Sequence, residues 1–184
     1  EVKRMNEKIR NWKTGLVIIG IIFLSGCATI QVMEKSLLQS SPSFIVIGDI
    51  IPANEKVKIP LEKIEEGRKI VFETFKKELP EFHVFKNIQD LPSGVGDYLL
   101  VETKVGVYRE ARPILGATIV FAGAGMSVMD AEMIVTKYKE KVTVLKFPGC
   151  SRGGIIMGKS FAYTQGLMLM ATRVARTIKK HARK

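Results

Sequence analysis

Cysteine and histidine are scarce in this 184-residue chain, with two of each. Two cysteines are too few for a disulfide framework or a structural zinc site. The histidines, His83 and His181, are isolated in sequence and do not make a metal centre. No segment repeats at a fixed period, which excludes solenoids and propellers. No stretch has the composition of a disordered tail. No G-x-G-x-x-G is completed, so the dinucleotide fingerprint is missing, and no cofactor is expected.

What is present suffices for one domain. The length fits a single core with appendages. The apolar fraction, 46%, supplies that core, and 26% charged residues is ordinary for a globular chain. The charge is unbalanced: a formal net +11 at pH 7 biases the surface towards anionic partners such as phospholipid headgroups, nucleic acid or acidic polymers.

Near the amino terminus, MNEKIRNWKT (5–14) carries three basic side chains and one acidic one, and GLVIIGIIFL (15–24) is wholly apolar. Ten apolar residues make about 15 Å of helix, roughly half a hydrocarbon core. No charge occurs between Lys13 and Glu34, so an uncleaved single span stands as an alternative. Ser25, Gly26, Thr29 and Gln31 make the second half of such a span poor lipid-facing material. A basic region, a short apolar run and small residues describe a secretory signal.

Leu24-Ser25-Gly26-Cys27 resembles, at all four positions, the lipobox of bacterial lipoproteins. The resemblance implies cleavage between Gly26 and Cys27, a diacylglycerol thioether on Cys27, and acylation of the new amino terminus. A thiolate is well suited to alkylation, and two or three acyl chains on one residue anchor stably where one would not. The expected organisation is therefore a cleaved signal peptide at 1–26, a lipidated terminus and flexible tether at 27–43, and one domain at 44–184. The translation start is expected at Met5. Ala28, rather than Asp, follows the cysteine, which among Gram-negative lipoproteins implies export to the outer membrane, here facing the periplasm.

The body reads as strands and helices in a mixed order. FIVIGDII (44–51) is a β-branched run bounded by Pro42 and Pro52. Over 61–79, Leu61, Ile64, Val71, Phe72, Phe75 and Leu79 recur at helical spacing between Pro60 and Pro80. FHVFKNI (82–88) is a short strand. In YLLVETKVGVYR (98–109), Leu99, Val101, Thr103, Val105 and Val107 alternate with Glu102, Lys104 and Tyr108. Residues 126–139 form a second long strand with Met129, Ala131, Met133 and Val135 on one face, and KEK (139–141) turns it into VTVLKF (142–147). A last helix at 161–181 puts Thr164, Leu167, Met168, Ala171, Val174, Ala175 and Ile178 on its core stripe, with Ser160 as cap. This order predicts an α+β two-layer sandwich, a mainly antiparallel sheet of four to five strands under two helices.

The stretches FKKELPEFHVF, GDYLLVETKV, GATIVFAGAG, AEMIVTKY and SRGG, with a closing helix, are similar to the bacterial lipoproteins of domain of unknown function 4410. The likeness spans 44–181. It implies a fold and a compartment, and brings no defined activity or functional residues.

Several motifs compete for a role. ILGATIVFAGAGM (114–126) interleaves glycines with aliphatics, as a bent strand does, or as an apolar loop touching lipid or a partner. Residues 153–160, GGIIMGKS, fit G-x-x-x-x-G-K-S, with Lys159 in the phosphate-binding place, but only one helix follows and no later strand supplies an acidic magnesium partner. Cys150 is the lone thiol of the processed chain, expected as a buried small apolar residue; as a nucleophile, it or the 153–160 loop would define the enzyme alternative. His83 reads as a packed or edge residue, and Asp130 and Glu132 as the solvent side of a strand. Arg173, Arg176, Lys180 and Lys184 form a basic stripe on the last helix, complementing its dipole or contacting an anionic surface. Export argues against nucleic acid as the partner. The expected protein is a non-enzymatic accessory or binding module of the cell envelope. It is held at the membrane through Cys27 and works with an envelope complex.

Overall fold

The computed structural model describes residues 29–40, 42–109, 127–153 and 161–182. Its strands are β1 (Gln31–Val32), β2 (Phe44–Pro52), β3 (His83–Phe85), β4 (Leu99–Arg109), β5 (Ser127–Lys137) and β6 (Val142–Gly153). Its helices are α1 (Lys35–Gln39), α2 (Leu61–Glu78) and α3 (Phe161–Ala182). The described residues thus give six strands and three helices, where four to five and two were expected. The sheet is open, in the order β1-β6-β5-β4-β2-β3.

Alternation builds the centre of this sheet. Leu99, Val101, Thr103 and Val105 of β4 are buried, as are Met129, Ala131, Met133 and Val135 of β5. The two strands pair antiparallel, and β5 pairs antiparallel with β6 through the turn at 138–141. The other half departs from the expectation. β2 runs parallel to both β4 and β3, so the sheet is mixed. The cause is α2, which carries the chain back along the sheet so that β3 starts from the same end as β2.

Three strands differ from their sequence reading, the first being β3, which keeps only His83–Phe85 of the expected 82–88 because a 3-10 turn takes Ile88–Asp90. A register shift between Val105 and Val107 reverses the alternation of β4, leaving Val107 39% exposed while Tyr108 turns to the core. Strict alternation puts Val107 inside and Tyr108 outside; the bulge at Gly106 inserts the residue that flips them. β6 continues through Pro148 and Gly149 to Gly153, six residues past its expected end. Proline is tolerated here because β1 covers only Leu145 and Lys146 on that side of β6.

The helices cover one face of the sheet. In α2, Gly67, Val71 and Phe75 are buried, with Leu79 just beyond, whereas Leu61, assigned to the core stripe, is 75% exposed in the first turn. In α3, Met170 replaces Met168 in the core; Met168 is 39% exposed. Gly149 makes room for Met170, since a Cβ there would lie 2.7 Å from its Sδ. The two helices run parallel. Tyr163 Oη donates to the Lys63 carbonyl at 2.7 Å near their starts, and Arg176 reaches Glu78 near their ends.

The segment expected as a tether is folded from Gln31 onward. β1 pairs with β6, Met33 N–H donates to the Val144 carbonyl at 3.0 Å, and Leu38 of α1 is fully buried. Neither element is readable from sequence: two strand residues and a five-residue helix have no periodicity, and both exist through tertiary pairing.

Candidate functional site

Three places carry the residues singled out by sequence. The first is the margin of the sheet where the chain arrives. Gly26 and Cys27, with the whole 1–26 segment, lie outside the described residues, but Gln31 does not. It sits opposite Lys146, and β1 runs antiparallel to β6. The chain therefore reaches Gln31 from the side of β6's carboxyl-terminal half, where Cys150 lies. No helix among the described residues is long and apolar enough to cross a membrane.

The second place is the sheet face turned away from the helices. Because Gly149 faces Met170, the next residue, Cys150, points to the other side, and it is exposed rather than buried as expected. Asp130 is its cross-strand partner, and Lys104 stands opposite Glu132 on the neighbouring pair. Opposite charges so placed attract, contributing about 0.2–1 kcal/mol. Together with Ala53 and Gly106 these side chains line a depression of about 390 Å³. Asp130 Oδ1 is buried there without a hydrogen bond among the described residues.

Among the described residues, no histidine stands on this face beside the thiol. His83 lies on β3, four strand spacings from β6 in the sheet order, about 19 Å at 4.8 Å each. His181 is in the last turn of α3, which packs on the other face of the sheet. Neither reaches Cys150 as a base. No group of three metal-ligating side chains comes together among the described residues. Of the 153–160 stretch only Gly153 is described, closing β6; Lys159 and Ser160 lie outside, as does the glycine-rich 114–126. Both strands paired with β6 run antiparallel to it, unlike the parallel sheet of phosphate-loop enzymes.

The third place is the far end of α3. Arg176 makes a two-pronged ion pair with Glu78 at 2.9 and 3.2 Å, and Lys179 approaches Glu81 at 3.6 Å. The hydrogen bond from Arg176 holds the Glu78 carboxyl below the ordinary carboxylate range, and Glu78 in turn raises the guanidinium. Arg173 lies over the Phe147 ring at 5.8 Å. Lys180 is exposed, and Lys184 lies outside the described residues. Two of the stripe's cations are therefore engaged within the fold.

Sequence reasoning missed Lys137, a lysine only 5% exposed. Its ammonium meets Glu140 at 3.1 Å, Asp97 at 3.6 Å and the Ser40 carbonyl at 3.4 Å, tying the end of α1 to the hairpin turn. In sequence it looks like one more charge in TKYKEK, and only the folded positions of Ser40 and Asp97 reveal its role. The outward placement of Lys104 and of Glu132 was legible from alternation, but their pairing needs the β4–β5 register; Cys150 was illegible because the β-branched run of β6 ends before Pro148.

No family model and no curated protein matches the chain, so the likeness to domain of unknown function 4410 rests on its motifs. Solved structures do overlay on it. A PelC dodecamer variant from Paraburkholderia phytofirmans superposes with a TM-score of 0.53 at 14% identity, covering 80% of this chain and 97% of that one. A second PelC dodecamer structure from the same organism gives 0.52 at 10% identity, with 81% and 96% covered. Lipoprotein GNA1162 from Neisseria meningitidis gives only 0.44 at 12% identity, with 78% and 100% covered. At such identities the overlay with PelC shows a shared fold.

Proposed function

We propose that this chain is a lipid-anchored protein of the bacterial cell envelope, a non-enzymatic accessory module held at the outer membrane by acyl chains on Cys27. The observation that carries the reading is the fit between motif and fold. LSGC ends at Cys27, and the first described element, β1, begins at Gln31, so cleavage before the cysteine removes none of the described elements. The separation of Cys150 from both histidines supports a binding role over thiol chemistry. The overlay with PelC, described as a dodecamer, favours further copies of this chain as the first partners to look for within an envelope complex.

Labelled palmitate tests the anchor. The protein takes up label, and a Cys27→Ser variant takes up none and keeps residues 1–26, so that its mass exceeds that of the processed chain. Equal labelling of both, or no labelling of either, overturns the reading. Mass measurement of the detergent-solubilised protein checks self-assembly; a monomer at micromolar concentration rules it out.

A further inference from the structure

We infer that the β1–β6 margin of the sheet is the surface that rests on the phospholipid bilayer, an inference that depends on lipidation of Cys27. Four residue steps separate Cys27 from Gln31, and an extended chain spans at most about 3.6 Å per residue, so roughly 14 Å is the longest reach. Residues 31–39 do not serve as a flexible tether that would let the domain swing freely, since β1 and α1 are bonded into the fold. The opposite edge, β3, stands five strand spacings away, about 24 Å at 4.8 Å each, and is out of reach of the same bilayer surface when the β1–β6 margin is down.

Direction follows from register. Gln31 opposes Lys146 and β1 runs antiparallel to β6, so the anchored chain comes from the side of residues 147–153. Cys150 lies four residues beyond Lys146 on that side, about 13 Å along the strand. The margin exposes Gln31, Met33 (52%), Pro148 and Cys150. A bilayer suits it better than an added strand from a partner. Over this stretch Pro148 has no N–H to give a further ladder, whereas headgroups and water need no such pairing. The chain's positive charge favours anionic headgroups. The same geometry carries the carboxyl-terminal end of α3, with Lys180, towards the Val142 end of β6, away from the half of the margin where the anchor arrives.

Cys150 itself supplies the test, because thioether formation on Cys27 leaves it as the only reactive thiol. The lipidated full-length protein is labelled there with a nitrobenzoxadiazole maleimide. It is then reconstituted into phosphatidylethanolamine–phosphatidylglycerol vesicles carrying headgroup-proximal doxyl lipid. A Cys150→Ser, Gln89→Cys variant carries the same label on an exposed residue beyond β3. Quenching at Cys150 is expected to be at least about twofold stronger than at residue 89, because the interface is only about 5–10 Å deep. Equal quenching, or stronger quenching at residue 89, overturns the orientation. Palmitate uptake, measured on the same preparations, separates the two failures. Acylated protein with equal quenching loses only the orientation, whereas protein without acyl chains loses both it and the reading beneath it.

Discussion

At the scale of single residues, the contact between the two long helices is set by Gly67. A Cβ at that position would lie 2.5 Å from Ile50 Cδ1 and 2.9 Å from Leu167 Cδ1, and closer still to Tyr163 Oη. Alanine is the better helix former by about 1 kcal/mol, yet overpacking a filled core costs about 1–3 kcal/mol. Gly67→Ala is therefore expected to lower stability by about 1 kcal/mol in urea unfolding, and a gain would show that the helices separate without cost. Tyr98 offers a second residue-level check. Burial, with Tyr138 stacked on it at 4.4 Å, pushes its hydroxyl up to about 12. Burial likewise raises Tyr163. The folded state prefers neutral Tyr98, so its contribution is fully present below the unfolded value near 10 and is lost as pH rises towards 12. Absorbance at 295 nm is expected to show Tyr98 and Tyr163 ionising late, and Tyr98→Phe to remove one of those late steps.

Among elements, α2 and α3 are fastened at one end by Tyr163 and at the other by Arg176 and Glu78. The second fastening is exposed and contributes little at neutral pH. Arg176→Ala is expected to lower Tm by a few degrees at most at pH 7. Because Arg176 depresses the Glu78 carboxyl, that contribution is present above the unfolded value near 4.3 and disappears as pH falls through the folded one. Thermal melts from pH 7 to 3 are expected to show wild type and variant converging, and a constant difference would sink the assignment. Elements of this kind were legible in sequence wherever one period ran uninterrupted. Met129, Ala131, Met133 and Val135 gave β5, and Val71 and Phe75 gave α2. Legibility failed where a local event broke the period. The bulge at Gly106 exchanged Val107 for Tyr108, and Pro148 and Gly149 hid half of β6 although their position needs no outer ladder. The parallel pairing of β2 with β4 was illegible for another reason: it depends on which strands meet, which no local pattern encodes.

For the whole molecule, the folded domain begins earlier than composition indicated, and with Cys27 lipidated as proposed that boundary decides how the domain stands on a bilayer. Residues 29–40 look like a tether because they are short, mixed and aperiodic, yet Leu38 is fully buried and Ile30, Val32 and Leu37 pack against the core. Removing a buried leucine side chain costs about 2–5 kcal/mol, and removing β1 also strips Leu145 and Lys146 of their neighbour. Two truncations distinguish a tether from a structural part. A chain starting at Thr29 is expected to match the processed protein in urea midpoint. A chain starting at Pro42 is expected to lose at least about 2 kcal/mol, and Leu38→Ala in the longer chain to account for most of that loss. The shorter chain also bares an extended β6 edge and is expected to self-associate in light scattering as it is concentrated. Equal midpoints for the two truncations would restore a free tether, and with it a domain able to turn any face to the bilayer.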